Sequence, residues 1–132
     1  MTTFESKVTI QQPVNKVFNF LADMNNHQKL MPGEDIQNWK STYDEASFSI
    51  KNTINLSLKV ESRVENKEIK IIPAEKPPFA MELKWKLLFD NDQTDVVFTI
   101  VADLNMMMKM VVSGQLKKLA EHETNSLLFL LS

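Results

Sequence analysis

Residues 8–23 read VTIQQPVNKVFNFLAD, and residues 105–121 read NMMMKMVVSGQLKKLAE. In the first stretch the alternation begun at Phe4 (Phe4, Val8 and Ile10 against Glu5, Lys7 and Thr9) has the period of two of a strand with one wet face. Proline at the first helical position is pre-set for helix entry, and Val14, Val17, Phe18 and Leu21 then follow i, i+3, i+4, i+7 spacing. The chain therefore opens as a strand that turns at Gln11-Gln12-Pro13 into an amphipathic helix. In the second stretch, Asp103 or Asn105 can cap a helix, and no proline interrupts the run from Met106 to the end. The spacing predicts one long closing helix with Met107, Met110, Val111, Gly114, Leu119 and Leu127 on its apolar stripe. Lys109, Lys117, Lys118, Glu121 and Glu123 are assigned to the opposite face.

Between these ends the chain reads as a short helical piece and a succession of strands. The piece around Gln28 to Met31 must stop at Pro32-Gly33. Gln37 to Lys40 is a short strand, followed by a turn and by Ala46, Phe48 and Ile50 on one face of the next. Ile54, Leu56, Leu58, Val60 and Val64 then share a dry face with Ser62, while Lys59, Glu61, Arg63 and Glu65 take the wet one. Ile69 to Ile72 form another strand, and Pro73 to Pro78 a stiff loop that cannot join a ladder. Met81, Leu83, Trp85, Leu87 and Phe89 alternate with Glu82, Lys84 and Lys86, and the chain returns through Asp90 to Gln93 into Val96, Phe98 and Ile100. Sequential strands joined by short turns make an antiparallel meander the economical topology.

Composition bounds the function. A chain of 132 residues with 43% hydrophobic and 24% charged residues suits one globular domain, here expected to span residues 1–132. The net charge is −2 and Arg63 is the only arginine, so there is no positive field for phosphates and nucleic acid is not an expected partner. The absence of cysteine fits a reducing cytoplasm and removes disulfides, thiolate nucleophiles and cysteine-based zinc sites. The first residues lack the basic and apolar regions of a signal peptide, and SLLFLLS is too short to span a bilayer. Two glycines cannot build a phosphate loop or a nucleophile elbow, and the reading includes no cofactor and no metal.

The order of strand, two short helices, six strands and one long helix resembles the START-like superfamily, also called SRPBCC. That group includes the birch-pollen allergen, polyketide cyclase/dehydrase and lipid-transport proteins. VTIQQPVNKVFNFLAD looks like the family's strand, proline and VF-x-x-L helix, and NMMMKMVVSGQLKKLAE like its closing helix. The resemblance implies an α+β helix-grip fold, in which a seven-stranded antiparallel sheet curls around the C-terminal helix and leaves a cavity between them. Its mouth would lie near Met31 to Glu34, Lys51 to Thr53, Pro73 to Phe79 and the start of the final helix at Asn105 to Lys109.

Within that frame the sheet contributes Phe48, Ile50, Leu58, Val60, Met81, Leu83, Trp85, Phe98 and Ile100 to a ligand-binding surface. Met31 closes one end, and Met107, Met110, Val111 and Gly114 face it from the helix. Methionines re-pack around differently shaped apolar partners, although they are equally at home in plain core. Gly114 suggests close packing of helix on sheet, or room for a ligand. Trp85, if buried, needs an acceptor for its indole N–H. The expected function is binding or transport of a small hydrophobic ligand, lipid or aromatic. Two alternatives stand beside it: a cyclase or dehydratase, for which Asn38, Tyr43 and His27 are the residues to mutate first, and a chaperone-activator-like interaction module. The apolar tail Leu127 to Leu131 allows a homodimer. His27 and His122 read as surface residues, Ser62 as a polar group able to orient a guest, and the acids Asp90, Asp92, Asp95, Glu61 and Glu65 as solvated.

Overall fold

A computed structural model describes residues 1–52, 54–77 and 79–131. Strand β1 (Thr2–Ile10) leads into helix α1 (Val14–Ala22) and a 3₁₀ helix (Met24–Leu30). Strands β2 (Ile36–Ser41), β3 (Glu45–Ile50), β4 (Ile54–Val64), β5 (Glu68–Pro73), β6 (Met81–Asp90) and β7 (Gln93–Ala102) follow, and α2 (Met106–Leu131) closes the chain. The sheet has seven strands in the order β1-β7-β6-β5-β4-β3-β2, every neighbouring pair antiparallel. This is the expected meander, with β1 added beside the last strand.

Local chemistry explains the breaks. Pro13 stands one position before α1 rather than at its first turn, and its carbonyl accepts from Lys16 N and Val17 N at 3.1 and 3.3 Å. Asp23 caps the 3₁₀ helix by accepting from Asn25 N at 2.9 Å, and the Asn105 side chain caps α2 by accepting from Met108 N at 2.8 Å. Asn52, Asn66 and Asn91 have positive φ where the chain turns between strands, a conformation asparagine tolerates better than most residues.

Two bulges alter the faces that simple alternation assigns. Between Val60 and Ser62 the register of β4 on β5 slips by one, so Ser62 stands opposite Lys70 and Arg63 opposite the buried Ile69. Arg63 thus comes to the inner face, while Ser62 and Val64 are exposed, the reverse of the expectation. A second slip between Gln37 and Lys40, with Asn38 at φ 59°, leaves Asn38 exposed and turns Trp39 inward onto Phe48, ring centroids 5.0 Å apart.

The outer face of the sheet is charged: Lys70 bridges Glu61 and Glu82 at 3.0 Å each. The inner face is apolar, and its center is a row running across the strands through Ser6, Phe98, Trp85 and Ile69. Trp85 and Phe98 stack at 4.0 Å, both fully buried. α1 lies against β5, β6 and β7, whereas α2 packs along β1 and β7 and against the 3₁₀ helix. No helix of the described residues is long and apolar enough to cross a membrane.

Candidate functional site

The inner surface between sheet and α2 is dry at one end and half-solvated at the other. At the dry end α2 buries Ala120, Glu123, Thr124 and Leu127, and the Thr124 hydroxyl lies 2.7 Å from that of Ser6. Gln12 Nε2 donates to the Leu131 carbonyl at 2.9 Å, pinning the same end of the helix. Toward its start, the inward residues Met108, Val112 and Leu116 are only half-buried. On the sheet, Ile50, Leu56, Val60 and Met81 are likewise half-buried beside the core residues Phe48, Leu58 and Leu83. Apolar side chains on the inner face of the sheet and on the first half of α2 therefore keep part of their surface accessible.

The sheet residues expected at a ligand surface all stand on the inner face: Leu58, Leu83, Trp85, Phe98 and Ile100 in its core, Phe48 beside them, and Ile50, Val60 and Met81 half-buried against it. Met31 is buried with them. The helix residues are not there. Met107 and Met110 are 76% and 85% exposed, Val111 is exposed, and nothing lies within 4 Å of a Cβ placed on Gly114, which rules out close packing at that glycine. Of the expected stripe, Leu119 and Leu127 do pack inward; the inward side of α2 carries Leu119, Ala120, Glu123, Thr124 and Leu127, with Met108, Val112 and Leu116 half-buried in line with them. The methionine cluster is apolar on all sides and fixes no helical phase. Counting back by threes and fours from Leu127 finds the right one. Of the proposed mouth, Thr53 and Pro78 lie outside the described residues.

Polar groups inside the fold are also redistributed. Asn38, Tyr43 and Ser62 are exposed rather than interior. His122 is at the surface as expected, but His27 is buried: its Nε2 donates to the Leu21 carbonyl at 2.7 Å and its ring meets Trp85 edge-on at 6.2 Å. Burial holds its pKa below the ordinary 6.5, so the imidazole is neutral. Spacing from Met24 and Leu30, three residues either side, marks His27 as inward. Glu123, assigned to the wet face, is 2% exposed, and desolvation raises its carboxyl from 4.5 to about 8. Its Oε2 and the Nε1–H of the fully buried Trp85 have no hydrogen-bond partner; neither does the hydroxyl of Thr2. An unpaired buried polar atom costs about 1–3 kcal/mol, and three stand among the described residues.

Arg63 is fully engaged. Nε and Nη2 donate to the Ala22 carbonyl at the end of α1 at 2.9 and 2.8 Å, Nη2 to Tyr43 O at 2.9 Å, and Nη1 to Asp44 Oδ1 at 2.8 Å. Its guanidinium also lies 4.1 Å over the Tyr43 ring. This cation ties α1 to the β2–β3 turn. Surface clefts of about 290 and 310 Å³ exist elsewhere, one at the outer side of β2 to β4 and one at the Asp90 to Gln93 turn. Neither contains Glu123, Trp85 or His27.

No family model matches the chain, and no curated protein matches it. Solved structures match along nearly its whole length. A START superfamily protein from Mycobacterium smegmatis superposes with a TM-score of 0.70 at 12% identity, covering 98% of this chain and 96% of that one. The protein XoxI from Bacillus cereus gives 0.79 at 9% identity, covering 99% and 96%. The Aha1 dimer from Colwellia psychrerythraea gives 0.69 at 20% identity, with the same coverage of 99% and 96%. Likeness in shape at this level of identity concerns the fold, and with the sheet order and the closing helix it shows that the fold is of the START-like helix-grip type.

Proposed function

We propose that the protein binds a small apolar molecule in the trough between the inner face of the sheet and the first half of α2. The observation that carries this reading is the set of apolar side chains left half-solvated, Ile50, Leu56, Val60 and Met81 on the inner face of the sheet and Met108, Val112 and Leu116 on the first half of α2. A ligand laid between them removes that surface from water, at about 25 cal/mol per Å². Pockets that are mostly apolar with a few placed polar groups are the common form of small-molecule sites. Similarity to a START superfamily protein is consistent with such a use of the fold. The test is titration with the uncharged dye N-phenyl-1-naphthylamine, followed by its fluorescence. Saturable binding is expected, weakened by Met81→Lys and unchanged by Leu88→Lys on the exposed outer face. No saturable signal, or equal loss in both variants, refutes the reading.

A second reading is supported by the outward side of α2, where Met106, Met107, Met110 and Val111 form an exposed apolar stripe. One of the similar structures is described as a dimer. A second copy of this chain seated on that stripe accounts for it. Sedimentation equilibrium should then show a dimer that Met107→Glu with Met110→Glu converts to monomer; a wild-type monomer at all concentrations overturns it.

A further inference from the structure

The cleft on the outer side of β2 to β4 combines a cavity with polar groups that the fold leaves uncommitted. One row of the outer face runs from Lys40 on β2 through Ser47 on β3 and Ser57 on β4 to Ala74, whose N–H donates to the Ser57 carbonyl at 2.8 Å just past the end of β5. Its middle members are short, while the neighbouring row carries Glu45, Lys59 and Ile72. The short side chains leave room for a cleft of about 290 Å³, lined by Lys40, Glu45, Ser47, Ser57, Ala74 and Glu75 among others. Elsewhere on this face ion pairs absorb charge, Lys70 with Glu61 and Glu82 and Lys84 with Glu68. Among the described residues Lys40, Glu45 and Glu75 make no ion pair, and the Ser47 and Ser57 hydroxyls have no hydrogen-bond partner. We infer that this cleft is a second binding site, separate from the apolar trough, and that it takes a small zwitterion whose carboxylate and ammonium stand several ångströms apart, such as a dipeptide.

The placement of charge selects that class. Lys40 and Ala74 stand three strand spacings apart across the row, about 14 Å, and Glu75 follows Ala74. Opposite charges therefore approach the cleft from opposite ends, and their long side chains reach inward over its floor. A ligand carboxylate finds its partner in the Lys40 ammonium, and a ligand ammonium in the Glu75 carboxylate. A simple anion would meet one cation against two carboxylates, Glu45 and Glu75, and a simple amine would be repelled by Lys40. A molecule carrying both charges is complemented at each end. Between them the serine hydroxyls, which both donate and accept, suit the N–H and C=O of an amide. Among the described residues no aromatic side chain lines the cleft, so a flat ring has no face on which to stack. The three charged side chains are exposed, where each ion pair is screened by water, and the expected affinity is about millimolar.

The test follows the amide resonances of the isotope-labelled full chain, titrated at neutral pH and low salt with glycylglycine, N-acetylglycine and glycinamide. The first carries both charges, the second only the carboxylate and the third only the ammonium. Glycylglycine should shift the Ser47, Ser57 and Ala74 amides saturably and bind about threefold to fivefold tighter than either singly charged probe, the scale of one exposed ion pair. That margin should shrink in about 0.5 M sodium chloride. Lys40→Gln should erase the margin over glycinamide, and Glu75→Gln the margin over N-acetylglycine; both side chains are exposed, so the amide spectrum should otherwise be retained. Absence of saturable shifts at these amides, equal binding of the three probes, or margins intact in both variants overturns the inference. Glycylglycine should also leave binding of the naphthylamine dye unchanged, and displacement of the dye overturns the separation of the two sites. Failure of glycylglycine alone, with the dye still bound, leaves the trough reading standing.

Discussion

Replacing Glu123 by glutamine should abolish most of the alkaline loss of stability in this protein. In the unfolded chain the carboxyl titrates near 4.5, and in the fold near 8, because burial disfavours its charge. The folded state therefore holds a proton that the unfolded state has released. Stability is full below pH 4.5 and is lost as the pH rises toward 8, at about 1.4 kcal/mol per pH unit. At pH 7 the accumulated cost is about 3 kcal/mol, and it levels at about 5 kcal/mol above pH 9, on the scale of the whole stability of a small domain. His27 acts in the opposite sense. Its pKa is lowered, so it destabilises only as the pH falls below 6.5, and the window from 6.5 to 9 isolates Glu123. Urea unfolding followed by circular dichroism across that window should show wild-type stability falling steadily to pH 8 and Glu123→Gln nearly flat. The variant should be about 3 kcal/mol more stable at pH 7 and close to wild type at pH 5. Parallel pH curves for the two proteins would refute the claim that this carboxyl is buried and un-ionised.

Four further outcomes follow from single contacts. Gly114→Ala should raise stability by about 1 kcal/mol, since the added methyl meets nothing within 4 Å and the helix gains propensity; a loss in thermal denaturation would contradict the open placement of that residue. Arg63→Ala should cost about 3 kcal/mol by orphaning the Ala22 and Tyr43 carbonyls and the Asp44 carboxylate, and Arg63→Lys should recover only a minor part, because an ammonium cannot reach all three. His27→Ala should cost about 2–4 kcal/mol through the unpaired Leu21 carbonyl and the gap beside Trp85, measurable by urea denaturation at pH 8, where the histidine carries no charge. Leu127→Ala should cost about 2–5 kcal/mol, but Met110→Ala less than about 0.5 kcal/mol, a contrast that fixes which side of α2 faces the sheet.

Much of the architecture could be read from short-range pattern. Alternation along Met81 to Leu87 and Val96 to Ile100, the Pro13 helix entry and the uninterrupted run from Met106 each state a local preference that the tertiary structure agrees with. Pattern stops being a guide where the local rule is silent or is broken by one residue. A bulge at Glu61 carries no mark in the amino acids around it, yet it moves Arg63 to the inner face and Ser62 out. In α2 the apolar methionines fit several helical phases equally well, so spacing alone does not show that Met107, Met110 and Val111 point to solvent. Composition priors put histidines and carboxylates at the surface, and those priors are least useful at the few positions where a fold departs from them, here His27 and Glu123.

By itself the sequence determined the periods: which segments are strands, which are helices, and that seven strands must share one dry face over a long closing helix. Those properties depend on residues within a few positions of one another. Only the tertiary structure decided the rotation of α2 about its axis, the face on which Arg63 emerges, and the burial of Glu123 beside the row that contains Trp85. Each of these is set by how elements distant along the chain pack together, and a shift of one residue or about 100° of helix costs nothing in local preference while exchanging what is inside for what is outside.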